Sequence, residues 1–274
     1  MRPRLVSFTL SAALVPATCL AQQPAAPYTV QQPPLQEILL HLQENFWDYL
    51  ANVPNFFADE HVVSILKQEG ARDTKTTTDS VFRLVRSHEI GEAHTFTESR
   101  ELKLVNKKAA RGDQIQVPAL FSGAFSHAVG IVSLEMSRCF DYTLQPPGLL
   151  NNIPAIIIDY ALKPDLQSDD SCPEKQSGRA WIDPATFHPF RVETTVPSHK
   201  DNNGIRVLWN WSVDFAPVTL DTKQYWMPKT ITSKAEANDA SGTWFFTANY
   251  SNYHKLSATS HIVPGAGSDP PPPR

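Results

Sequence analysis

The stretch His88-Glu89-Ile90-Gly91-Glu92-Ala93-His94 gathers two imidazoles and two carboxylates. Donors of these types hold zinc when a helix face or a rigid turn aims them at one point. The two histidines do not share a helical face, and the run falls at a turn between two strand-like segments, so a solvated loop is the expectation. Asp159, Asp169 and Asp170 have the hard oxygen donors that calcium takes. The last two read as a polar loop and the first as a strand end. Arg111-Gly112-Asp113 spells an adhesion tripeptide short enough to arise by chance. Asn210-Trp211-Ser212 and Asn249-Tyr250-Ser251 match a glycosylation acceptor, but both sit in strand-like runs rather than in surface loops. The chain contains no G-x-S-x-G, H-E-x-x-H, P-loop or dinucleotide fingerprint. The expectation is therefore no catalytic residue, no metal site, no cofactor and no enzymatic activity.

Two cysteines remain once an N-terminal export segment is set aside, Cys139 and Cys172. An even pair in an exported chain points to a disulfide. A metal or redox pair would need a C-x-x-C spacing or a nearby third ligand, and neither is present. The remaining polar–aromatic constellation is the stretch Gly178 to Glu193. Asp183-Pro184 suits the first two positions of a type I turn, because Asp bonds back to nearby amides and Pro presets φ. A register with Trp181 opposite Arg191 sets Ile182 against Phe190 and Ala180 against Val192. The apolar residues then share one face, as a half-buried antiparallel pair requires. Arg191 would lie over the Trp181 indole as a cation–π pair. That pair lines a ligand groove or only holds register; the second is the simpler reading.

These residues need elements to position them. Leu35, Ile38, Leu39, Leu42, Phe46, Tyr49, Leu50 and Val53 recur at helical spacing after Pro33-Pro34, and Pro54 ends the run. The polar face of that helix carries Glu37, Glu44 and Asp48, so packing on a sheet suits it better than an anionic bilayer does. The period changes to two over Lys75 to Arg86 and again over His94 to Val105, with a turn at Gly91. Ala119 to Met136 reads as a second helix with Ser122 as its N-cap, although Gly123 and Gly130 weaken it. Cys139 to Leu144 and Ile153 to Leu162 read as strands around a Pro146-Pro147-Gly148 turn. After the Gly178–Glu193 hairpin, Asn203-Gly204 is a strong turn dipeptide. Ile205 to Phe215, Gln224 to Ala235 and Thr243 to Leu256 supply three more strands. Trp226, Trp244, Phe245, Phe246, Tyr250 and Tyr253 give the last two a heavy aromatic load. Helices early and consecutive antiparallel strands later imply an α+β class.

The N-terminus reads as a secretory signal peptide over residues 1–21. Arg2 and Arg4 precede a short apolar stretch, Pro16 breaks it, and Cys19-Leu20-Ala21 puts small residues at a cleavage site. No other stretch is long and apolar enough to span a bilayer. Residues 22–34 form a Gln/Pro linker, 35–263 one domain, and 264–274 a Pro-rich tail. The full chain has 274 residues and a net charge of −4. That balance argues against nucleic acid as a partner, which calls for a basic footprint. The expected location is the periplasm or the exterior.

The run Trp181-Ile182-Asp183, Thr186, Pro189, Arg191, Glu193 resembles the W-[IV]-D-x-x-T-x-x-P-x-R-x-E hairpin of the lipoprotein-carrier-like superfamily. That group includes periplasmic lipoprotein localisation factors and the sensor domain of a sigma-factor regulator. Asp201 to Gly204, Tyr225 to Lys229 and Tyr250 to Tyr253 fit the same pattern, so the resemblance spans about residues 175–256. It implies a curved antiparallel half-barrel over a few helices, enclosing an apolar concavity that in the carriers holds acyl chains. No catalytic residue carries over. Two functions stay open. One is an exported binding module for a lipid, a lipoprotein acyl chain or another hydrophobic ligand, contacted through Trp181, Arg191, Trp226, Trp244 and Phe246. The other is a structural or interaction protein of the envelope whose half-barrel is filled by its own helices.

Overall fold

A computed structural model describes residues 32–86, 96–110, 123–125, 128, 130–166, 172–173, 175–200, 206–237 and 242–256. The helix expected after the diproline is α1, Leu35–Asn52. Pro34 stands at its N-cap in extended conformation, and Val53 turns extended ahead of Pro54, as a residue before proline prefers. The last turn has no basic residue. Its open carbonyls are met from the sheet instead, where Arg86 Nη2 donates to Ala51 O and Val53 O.

Among the described residues eleven strands follow: β1 (Phe56–Lys67), β2 (Thr74–Arg86), β3 (Phe96–Val105), β4 (Lys108–Ala109), β5 (Phe140–Leu150), β6 (Ile153–Leu162), β7 (Ser177–Ile182), β8 (Pro189–Lys200), β9 (Arg206–Leu220), β10 (Lys223–Ala237) and β11 (Thr243–Lys255). All pairs are antiparallel. They form one sheet in the order β4-β3-β2-β1-β11-β10-β9-β8-β7-β6-β5. Among the described strands only the β1–β11 contact joins strands distant in sequence, so the two strand groups meet there. The sheet is curved and not closed, an α+β half-barrel with α1 on its inner face. Alternation puts Phe56, Ala58 and Val62 of β1, Phe82 and Leu84 of β2, Val213 and Phe215 of β9, and Phe246, Ala248 and Tyr250 of β11 on that face, all buried.

Several sequence expectations need correction. The whole of β1 was absent from them. Ala119–Met136 is not a helix in its described part, which consists of turns and bends followed by a 3-10 turn at Glu135–Arg138. Gly123 adopts φ 90°, outside helical geometry. Ser122 lies outside the described residues. The segment still contributes Ala124, Phe125, Ala128, Ile131 and Val132 to the core.

The chain does not turn at Pro146-Pro147-Gly148. β5 runs through it with a register shift between Gln145 and Gly148, a distortion an edge strand tolerates. The turn is at Asn151-Asn152, both at positive φ (51° and 67°), as a type I′ hairpin needs. The residues at 88–94, 111–113, 169–170 and 203–204 lie outside the described set, as do the signal peptide, linker and tail.

In the β7–β8 hairpin, Trp181 is opposite Arg191 and Ala180 opposite Val192, as expected. Ile182 is opposite Pro189, not Phe190, because the register shifts between Trp181 and Ile182. Phe190 is the extra residue of a β-bulge. It is half-buried against the Trp226 ring at 6.2 Å, while Pro189 takes the core position. The turn itself follows its chemistry. Asp183 accepts from Ala185 N at 2.9 Å and from Thr186 Oγ1 at 2.7 Å, and Asn45 of α1 donates to Thr186 O at 2.9 Å. Cys139 and Cys172 are joined, with Cα atoms 5.7 Å apart, which ties the start of β5 to the segment before β7.

Candidate functional site: the inner face of the half-barrel

One part of the concavity is filled by the chain itself. Ile38, Leu39 and Leu42 of α1 are buried. Beside them the Phe125 ring stacks on Phe82 at 4.5 Å and meets Tyr250 edge-on at 4.9 Å, with Phe56 at 5.7 Å. Offset and edge-on geometries of this kind add to area burial.

A buried ionic group underlies that cluster. Glu60, on the inner face of β1, has a fully buried side chain. It accepts from Arg100 Nε at 2.8 Å and from the Tyr250 hydroxyl at 2.8 Å. Its second oxygen, Oε2, has no protein partner among the described residues. Arg100 lies over the Phe82 ring at 5.0 Å and reaches Glu98 at 3.9 Å. Glu98 in turn accepts from the backbone N–H of Gly123 at 2.9 Å and of Phe125 at 3.2 Å. Glu98 thus pins the irregular 123–125 segment into the concavity. Burial works to lower the Arg100 pKa, and the charge of Glu60 and bonds to Glu60 and Tyr250 outweigh it, so the guanidinium ends above its usual value. Burial raises the Tyr250 hydroxyl, and the nearby Glu60 charge adds to it. Tyr49 is raised first by burial and then by Glu98.

Another part is not filled. Between α1, the 123–136 segment and the sheet lies a largely apolar cavity of about 430 Å³, with Phe46, Trp47, Ile131, Met136, Pro173 and Trp211 in its wall. Trp47 is 51% exposed. Beyond Trp211 the inner face continues as two cross-strand rows. Thr194, Trp211, Ser233, Phe246, Ser64 and Thr76 are in register in one; Val196, Trp209, Ala235, Trp244, Leu66 and Thr74 are in register in the other. Trp209, Trp211 and Trp244 are each only half-buried. A smaller cavity of about 240 Å³, lined by Tyr49, Phe125, His188 and Trp226, lies where α1 meets the 183–188 turn. His188 stacks on Trp226 at 5.1 Å, and burial lowers its pKa against the opposing pull of Asp183 and Asp48.

The five candidate ligand residues therefore separate. Phe246 and Trp244 share the inner face, and Trp226 lines the smaller cavity. Trp181 and Arg191 are on the outer face, in an ion-pair ladder. Arg191 donates to both oxygens of Asp214 at 2.5 and 2.9 Å and also reaches Glu193. It does not cover the Trp181 indole; Arg179 does, at 5.9 Å. The carboxylate opposite Arg191 on β9 offers two aligned bonds, which a ring face cannot match. Arg179 also holds Asp159 at 2.5 and 2.9 Å, which accounts for that aspartate. Asn210 bonds Thr195 and Asn249 bonds Thr230 across adjacent strands. Among the described residues no group of three His, Cys, Asp or Glu side chains could hold a metal ion, and no helix is long and apolar enough to cross a membrane.

Sequence reasoning passed over Trp47, Glu60 and Trp211. Trp47 had a signal, a large aromatic set off the apolar stripe of its helix. Trp211 had another, being two residues from Val213 on the same face.

No protein-family model and no curated protein matches the chain. Among solved structures it is similar to a putative outer membrane lipoprotein-sorting protein domain from Vibrio parahaemolyticus, at 16% identity over 82% of this chain and 95% of that one, with a TM-score of 0.38. It is similar to a LolA superfamily protein from Nitrosomonas europaea at 12% identity, over 83% and 96%, TM-score 0.34. A DUF1329 family protein from Desulfovibrio piger matches at 13% identity, over 81% and 95%, TM-score 0.33.

Proposed function

We propose that this protein binds a hydrophobic ligand, the hydrocarbon part of a lipid or of a lipid-modified polypeptide, in the unfilled part of its half-barrel. The observation that carries the reading is the apolar cavity of about 430 Å³ with a half-exposed tryptophan, Trp47, in its wall. Ligand cavities fall at about 300–1,000 Å³ and are lined mainly by apolar and aromatic side chains. Trp47, Trp209, Trp211 and Trp244 keep indole surface in water that a purely structural core would cover. The rival reading, a self-filled half-barrel serving envelope structure, draws on the Phe56–Phe82–Phe125–Tyr250 cluster.

The test is uptake of a fluorescent acyl-chain probe by the purified mature protein, with native mass spectrometry for co-purifying lipid. Saturable uptake that Trp47→Glu weakens, at unchanged thermal stability, supports the binding module. No uptake, or uptake indifferent to Trp47→Glu, leaves the self-filled reading.

The site of action proposed is outside the cytoplasm. A disulfide persists in oxidising compartments, and the basic–apolar–small anatomy of residues 1–21 fits an export signal. N-terminal sequencing of the mature protein is expected to start near Gln22; a mature chain beginning at Met1 sinks this part.

A further inference from the structure

The wall of the unfilled part restricts the polar end of whatever enters. Resting on the reading of that cavity as a ligand site, we infer that the ligand's polar end is uncharged, an ester, hydroxyl or amide, and that a carboxylate or phosphate end is disfavoured. Among the described residues Glu60, Arg100, Glu98 and Arg86 reach the inner face near the filled part, and each is engaged, Arg86 by donating to Ala51 O and Val53 O at the end of α1. Glu60 is held by Arg100 and Tyr250, and Glu98 by two backbone N–H groups. Their side chains are 0%, 13% and 5% exposed for Glu60, Arg100 and Glu98, too enclosed to meet an incoming anion. The two rows beyond Trp211 contain only Trp, Phe, Ala, Val, Leu, Ser and Thr. Among the described residues lining the cavity, Glu135 is the one charged group, and it is an acid.

Among the described residues Arg138, Lys163, Lys175 and Arg179 lie near it in the chain, and none lines it; Arg179 holds Asp159 on the outer face. Lys163 Nζ donates to Ser137 O at 2.7 Å and to Arg138 O at 3.3 Å. Arg138 and Lys175 are exposed. A carboxylate drawn inside would lose water and find a like charge. An ester or hydroxyl would find bonding groups it can share: Ser233 Oγ already accepts from Trp209 Nε1 at 2.6 Å and keeps its own proton to donate. Removing a charge from water without a partner is far costlier than removing a neutral polar group.

The experiment uses two probes with the same chain, monoolein and oleate, each displacing the fluorescent acyl probe from the mature protein at pH 8 and below its aggregation threshold. Monoolein is expected to bind about tenfold or more tighter than oleate. Glu135→Lys, at an exposed side chain, is expected to narrow that gap by about threefold, the scale of one exposed charge contact. If neither probe displaces, the cavity is not the ligand site and the functional reading itself falls. If oleate binds as well as monoolein or better, the cavity reading stands and the inference about charge is overturned. A preference for monoolein that Glu135→Lys leaves untouched overturns its electrostatic origin.

Discussion

Arg100→Met is the sharpest perturbation of the buried ionic group, and its cost can be worked from the geometry. The guanidinium Nε is 2.8 Å from Glu60 Oε1. At an effective dielectric of about 20, two charges at that distance attract by about 6 kcal/mol. Desolvation of both groups offsets most of this, so the intact pair adds little net stability. Removing Arg100 alone takes away the attraction and keeps the desolvation, because the Glu60 side chain is fully buried. The expected loss is about 3–5 kcal/mol.

Removing the acid is milder. In Glu60→Met, Arg100 keeps Glu98 at 3.9 Å and the Phe82 ring at 5.0 Å. The Tyr250 hydroxyl loses its acceptor, and the sum should be about 1–3 kcal/mol. The double variant has no buried charge left unpaired there. It should be more stable than Arg100→Met alone, with a coupling energy of about 2 kcal/mol or more. Urea denaturation of the four proteins, followed by tryptophan fluorescence at constant m, measures the cycle. Additive single costs would show that the two groups do not share one buried charge environment, and the account of Glu60 and Arg100 as a coupled buried pair would fail.

The other expectations are smaller. In the β7–β8 hairpin, Ile182→Ala should cost about 2–5 kcal/mol, since Ile182 is fully buried. Arg191→Ala should cost about 1 kcal/mol or less, as a partly exposed ion pair does; equal losses in urea melts would reverse the face assignment. Gly178→Ala should fail to fold or lose several degrees in Tm, because a Cβ there would lie 2.0 Å from Glu193 O and 2.4 Å from the Tyr160 hydroxyl. Replacing Cys139 and Cys172 with alanine opens a loop of 33 residues' separation and should lower stability by about 4 kcal/mol on the chain-entropy account; labelling of the denatured, unreduced protein should find neither thiol free. His188 has its folded pKa lowered by burial, so the unfolded chain binds the extra proton. Its stabilising contribution is complete above the unfolded value near 6.5 and is lost as pH falls below it. His188→Gln should therefore flatten the stability–pH curve below about pH 6.5, and an unchanged slope there would mean that the imidazole is not buried neutral.

Much of the sheet was legible because its strands state their faces. Trp181 opposite Arg191 follows from alternation plus the Asp183-Pro184 turn, and so do the long strands that close the chain. The bulge at Phe190 was not legible. Nothing in the residue types says that Pro189 rather than Phe190 faces Ile182; that depends on how the six-residue turn closes, with Phe187 at φ 55° and Phe187 N bonded to Asp183 O. The diproline in β5 misled for a related reason. Proline marks a turn only where no edge strand accommodates it, and sheet order is not a local property. In Ala119–Met136 the described apolar residues do reach the core, but as turns and not as the expected helix, because their hydrogen-bond partners are not local. Glu98, on another strand, supplies the acceptor for Gly123 and Phe125 that a helix would have found four residues back.

The same logic explains why the candidate site was the least readable part. β1 was missed because its inner face runs Phe56, Ala58, Glu60, Val62, Ser64, and two polar residues in an inward row hide the period of two. Glu60 can face inward only because Arg100 and Tyr250, on β3 and β11, are brought beside it by a sheet whose first and last strands pair. A buried charge is thus visible in the fold before it is visible in the chain. The unfilled part of the concavity is the converse case. Trp209, Trp211 and Trp244 look like ordinary core residues in sequence, and their alternation with buried neighbours says they face inward. What they face is decided by where α1 and the 123–136 segment stop. Those two elements cover the Phe56–Phe82–Tyr250 part of the inner face and leave the tryptophan rows half-open, so it is the length of the filler, not the composition of the wall, that makes room for a ligand.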